Sequence, residues 1–72
     1  MKKKVIKVSN WQPTQVGEQV KALRRILSFN YAVNENDIVT VENINENNTV
    51  DVKTSDGGII LHCKNEWFEG II

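Results

Sequence analysis

His62-Cys63 is the one adjacent pair in this chain whose side chains suggest a base beside a nucleophile. On an extended backbone, neighbouring residues point to opposite faces, so the imidazole does not reach the thiol next to it. The pair closes the apolar run Ile59-Ile60-Leu61-His62-Cys63. There Cys63 shares the parity of Ile59 and Leu61 and reads as a small buried hydrophobe, with His62 on the outer face. One Cys forms no disulfide within the chain, and one Cys with one His is too few for a structural zinc site. The stretch Asn43-Ile44-Asn45-Glu46-Asn47-Asn48 lacks the alternating carboxylates and distant Glu of a calcium loop. Gly17 stands alone and Gly57-Gly58 divides two alternating runs, so no glycine-rich loop cradles a phosphate. These absences predict a non-catalytic protein that uses no cofactor and no metal.

Binding remains, and charge is the feature that bears on it. Nine basic and nine acidic side chains cancel overall, yet residues 1–25 hold seven basic groups against Glu18 alone. Residues 26–72 hold Lys53 and Lys64 against eight carboxylates. The basic third offers Lys7, Trp11, Lys21, Arg24 and Arg25 as nucleic-acid-binding candidates, cations for phosphates and an indole for stacking. A pI near 6.6 for the whole chain makes this the lesser expectation. The leading one is recognition of another protein, or of a second copy of the chain. Aromatic residues dominate such contacts, and Trp67 and Phe68 crowd the last residues as anchors unless they plug the end of the core. No apolar run approaches the length of a membrane span, so no membrane partner is expected. Cys63 is unpaired, and neither Met1-Lys2-Lys3-Lys4 nor Val5 to Asn10 reads as a secretion signal, which predicts a cytoplasmic protein. Asn, Ile and Lys make up a third of the chain, a usage associated with the AT-rich genomes of bacteria and phages.

The elements that would position these groups are set by periodicity. Lys3–Ser9 alternates as a first strand, and Asn10-Trp11-Gln12-Pro13 breaks it. Val16, Val20, Leu23 and Ile26/Leu27 recur at steps of three and four, which predicts a helix over 14–28 with Thr14 as N-cap and Gly17 as its weak point. Phe29 and Tyr31 lie in a connection and are expected to return to the core. Beyond it, the β-branched runs predict strands at 37–44, 49–54 and 59–63, with a last strand at 68–72. Asp56-Gly57 predicts a tight hairpin of the primed type between the second and third of these. The expectation is a single α+β domain over 1–72, a small curled antiparallel sheet or barrel with one packed helix.

The cadence of Asp37-Ile38-Val39-Thr40-Val41, Thr49 to Gly58 and Asn65-Glu66-Trp67-Phe68-Glu69 resembles the second half of Src-homology-type small barrels, as found in bacterial and phage modules. The resemblance implies a strand, a distal hairpin, a single tight helical turn and a last strand over 37–72. The helix would then occupy the place of the family's long first loop. The acidic first loop and aromatic groove of the proline-binding members are missing, so that mode of peptide recognition does not carry over.

Overall fold

In the second half of the chain, alternation of apolar and polar residues sets the structure directly. The computed structural model describes residues 9–71, and in it Ile38–Ile44 (β4), Thr49–Lys53 (β5), Ile59–Lys64 (β6) and Phe68–Gly70 (β7) are strands. They match the four strands expected there. Val39, Val41, Val50 and Val52 point inward, while Thr40, Asp51 and Lys53 take the other face. One 3-10 turn, Asn65–Trp67, joins β6 to β7.

The packed helix expected over 14–28 does not form, and the α+β assignment is corrected to a β fold. That stretch holds two strands, Gln19–Ala22 (β1) and Ile26–Leu27 (β2), and β2 pairs with Ala32–Val33 (β3). Gly17 adopts φ +95°, a left-handed turn conformation that ends any helix at that point. The three-and-four spacing is coincidental: Val16 is 56% exposed and Leu27 68%. Burial instead follows a period of two through Val20 and Ala22. Helix propensity is a weak preference, and pairing on both edges of β1 overrides it. Thr14 is no N-cap either, because its N–H and hydroxyl both donate to Glu18 Oε1, at 3.1 and 3.2 Å. The first strand expected at 3–9 lies outside the described residues, apart from Ser9.

Five strands form one antiparallel sheet in the order β6-β5-β4-β1-β7, and β2 with β3 forms a second. β1 sits between Val39 of β4 and Gly70 of β7, both opposite Val20. All seven strands contribute to a single buried cluster, with Phe68 its largest fully buried side chain. Among the described residues no α-helix covers the apolar face; strands of both sheets share one core, and Trp11 and Trp67 pack against it.

Two bulges interrupt the larger sheet. The register shifts between Val41 and Asn43 on β4, and again between Val50 and Val52 of β5, where β6 carries the extra residue. At the second bulge His62 has φ 58°, and its N–H donates to Asp51 Oδ1 at 2.9 Å. The extra residue breaks parity: Ile60 and Cys63 are buried, while Ile59 and Leu61 face solvent. Cys63 is therefore buried as expected, by a different register from the one its neighbours implied. The Asp56-Gly57 turn also differs from expectation. Only Gly57 has positive φ (93°), and Thr54 C=O accepts from Gly57 N–H. A primed turn of the Asn-Gly type needs both central residues there.

Candidate functional site

The two protein-binding candidates have separate fates. Phe68 is fully buried, edge-on to Trp11 with ring centroids 6.1 Å apart. It plugs the end of the core, the alternative the sequence left open for one of the two aromatics, and its ring is not presented on the surface. Trp67, on the 3-10 turn, is half-buried, and the Arg24 guanidinium lies 5.0 Å over its ring. Leu23 N–H donates to Trp67 C=O at 2.8 Å, which ties the turn to the segment after β1.

Among the described residues, the nucleic-acid-binding candidates do not assemble into one surface. Val20 and Gly70 pair on the inward face, and Trp11 lies against Gly70 there, within 3.4 Å of where a Cβ would stand. Lys21 and Glu69 pair on the opposite face and form an ion pair at 2.8 Å. Trp11 and Lys21 thus face opposite sides of the same two strands. The indole is spent on Phe68 and on Glu18, whose Oε2 accepts from Trp11 Nε1–H at 3.4 Å. Arg24 rests on Trp67, Arg25 is exposed, and Lys7 lies outside the described residues.

Sequence reasoning missed the most exposed aromatic group. Ser28 N–H donates to Tyr31 C=O at 2.8 Å, so Ser28-Phe29-Asn30-Tyr31 is the tip of the β2–β3 hairpin. Ile26 and Val33 pair inward; Leu27 and Ala32 pair outward. Phe29 is 98% exposed, against the expectation that it returns to the core. Tyr31, 39% exposed, does not join the core either; its ring lies over Gly58, where a Cβ would stand 2.3 Å from Tyr31 Cδ1, so only Gly fits beneath it. The available signal is symmetry, two apolar dipeptides flanking a tip that carries polar Ser28 and Asn30.

Beside the hairpin, the start of β4 and the β5–β6 turn enclose an open cleft of about 330 Å³. Ala32, Val33, Ile38 and Val39 give it an apolar side, and Thr54, Ser55, Asp37 and Asp56 a polar one. Asp37 Oδ2 accepts from Asn34 N–H at 2.9 Å, and Asp56 accepts from the Thr54 hydroxyl. The Thr54 bond outweighs desolvation and holds the Asp56 carboxyl below its ordinary value.

Elsewhere the titratable groups serve structure. Burial works to raise Asp51, but bonds from His62 N–H, Asn45 and Asn43 prevail and leave it lowered. Glu18 is lowered chiefly by the bond from Thr14 N–H. The Cys63 thiol is pushed up to about 11 by burial and then by the Asp51 charge, which makes it a poor nucleophile. Among the described residues, no three His, Cys, Asp or Glu side chains come together as a metal site, and no helix is long and apolar enough to cross a membrane. No family model, curated protein or solved structure matches the chain.

Proposed function

We propose that the chain is a small non-catalytic protein-binding module of the Src-homology-type small-barrel kind, docking on a larger protein through its β2–β3 hairpin. The observation that carries this reading is Phe29, 98% exposed at the tip of a hairpin whose outer side also presents Leu27, 68% exposed. Large apolar groups grouped on a projecting element are anchors for association, because burying them against a partner removes their surface from water. The resemblance to the barrel family also supports it, with one adjustment. The first strand of the pattern is β1 rather than residues 3–9, and the long first loop is the β2–β3 hairpin rather than a helix. A reducing, cytoplasmic setting suits the unpaired Cys63, and the residue usage suits a bacterial or phage source. Nucleic-acid binding is the lesser reading, since Trp11 and Lys21 lie on opposite faces.

The test is Phe29→Ser, compared with the parent chain in affinity capture from the producing cells with quantitative mass spectrometry. The substitution is expected to leave stability within about 0.5 kcal/mol, as for other exposed positions. Recovery of the bound protein should fall at least about tenfold, the loss of one hot-spot side chain. Equal recovery would remove the hairpin as the contact.

A further inference from the structure

We infer that the partner segment is a basic–apolar peptide: an arginine or lysine seated in the cleft against Asp37 and Asp56, with its apolar neighbours on the β2–β3 hairpin. This rests on the protein-binding reading above and names the chemistry of the ligand. The hairpin and the cleft are one continuous surface, because Ala32 belongs to both. It pairs with Leu27 on the outer side of the hairpin and lines the cleft beside Ile38.

Charge complementarity selects the occupant. Among the described residues, the cleft lining holds two carboxylates and no cation. Among the described residues, the ion pair Lys21–Glu69 lies elsewhere, and neither Asp37 nor Asp56 has a counter-charge. Bonds from Asn34 N–H and the Thr54 hydroxyl fix both carboxylates without neutralising them. Fixed groups lose little freedom on binding, which is what a recognition site requires. An ammonium or guanidinium supplies the missing charge and donates to carboxylate oxygens, a charge-assisted pairing stronger than a neutral one. Its aliphatic stem lies along apolar surface, here Ala32 and Ile38, while its charged end stays among the polar groups. An acidic segment brings like charge against the two carboxylates, and a purely apolar one strips water from them with nothing in exchange.

The probe is the blocked heptapeptide Ser-Leu-Arg-Leu-Arg-Leu-Ser, titrated into the full chain and followed by heteronuclear NMR, with a counterpart carrying citrulline for arginine. Saturable shifts are expected at the amides of Ala32, Val33, Ser55 and Asp56. The affinity should drop about fivefold for the citrulline peptide, and by a similar factor for Asp37→Asn and Asp56→Asn, the scale of a partly exposed ion pair. Asn keeps an acceptor for the Asn34 and Thr54 bonds, so spectra of the free variants should retain the parent dispersion. Equal affinity for the two peptides, or no saturable shift at the cleft, overturns the inference. In that case Phe29→Ser still decides whether the hairpin binds a protein. Dimerisation that Asp37→Asn dissolves would assign the surface to a second copy and also overturn it.

Discussion

β5 and β1 are both short alternating strands in the middle of one sheet, yet they are held in different ways. β5 pairs with β4 and β6, its immediate neighbours in sequence, through turns built from Asn45–Asn48 and Thr54–Gly58. β1 pairs with β4 and with β7, and much of what surrounds it is also fixed by distant backbone. Gly17 N–H donates to Val41 C=O, Val41 N–H to Glu18 C=O, and Leu23 N–H to Trp67 C=O, each at 2.8 Å. The second half of the chain thus encodes its strands locally, and the first half receives them by docking. A segment whose conformation is set by its neighbours in space tolerates a misleading local pattern, and Val16 to Leu27 carries one.

The strongest test of this dependence is Phe68→Ala. Phe68 is buried between the two halves, and emptying such a site costs about 3–5 kcal/mol, comparable to the entire stability of so small a core. Urea titration followed by residue-resolved NMR should show Val20 and Val52 unfolding together. Loss of Val20 order while Val52 stays protected would mean that the second half stands alone. A smaller effect is expected from Gly58→Ala, since the added methyl meets the Tyr31 ring. Overpacking of this kind costs about 1–3 kcal/mol. Tyr31 comes from the first half and Gly58 from the second, so Tyr31→Ala in the same chain should recover most of the loss. Two additive penalties in thermal melts would show that the halves do not press on each other there.

The smallest effect separates the halves by pH. Asp51 and Glu18 both lie below their ordinary values of 3.8 and 4.5 when folded. Each therefore adds stability that is complete above its ordinary value and is lost as pH falls through the lower folded one. Thermal melts between about pH 5 and pH 2 should slope downward on the acid side. Asp51→Asn should flatten that slope and remove the titration of the His62 amide shift, leaving Thr14 to report Glu18 unchanged. A His62 amide that still titrates in this variant would detach the bulge from the Asp51 charge.

What can be read in the sequence obeys the same division. Ile38-Val39-Thr40-Val41 and Thr49-Val50-Asp51-Val52-Lys53 declare their faces by alternation, and Gly57 marks the turn between β5 and β6. Gln19-Val20-Lys21-Ala22 alternates as well, but it is only four residues long and sits inside a helix-like spacing. Only its pairing with Val39 and Gly70 decides the matter, and sequence spacing does not contain that information. Cys63 reaches its expected environment through a parity that Leu61 breaks, because a bulge adds one residue without leaving a Gly or Pro to announce it. The candidate surface is the least legible part. Trp67 and Phe68 stand out by position along the chain, whereas burial of Phe68 and exposure of Phe29 depend on which strands enclose the core.

The placement of β7 beside β1 carries a consequence for how the molecule comes into being. A strand wanted early in the order of synthesis finds its second edge only when Phe68–Gly70 emerge. Until then Val20 and Ala22 have one partner edge instead of two, and the loop that must close runs all the way from Val20 to Gly70. Ordering of β1 therefore waits on β7, and a nascent protein that holds the first without the second carries an unpaired, aggregation-prone edge.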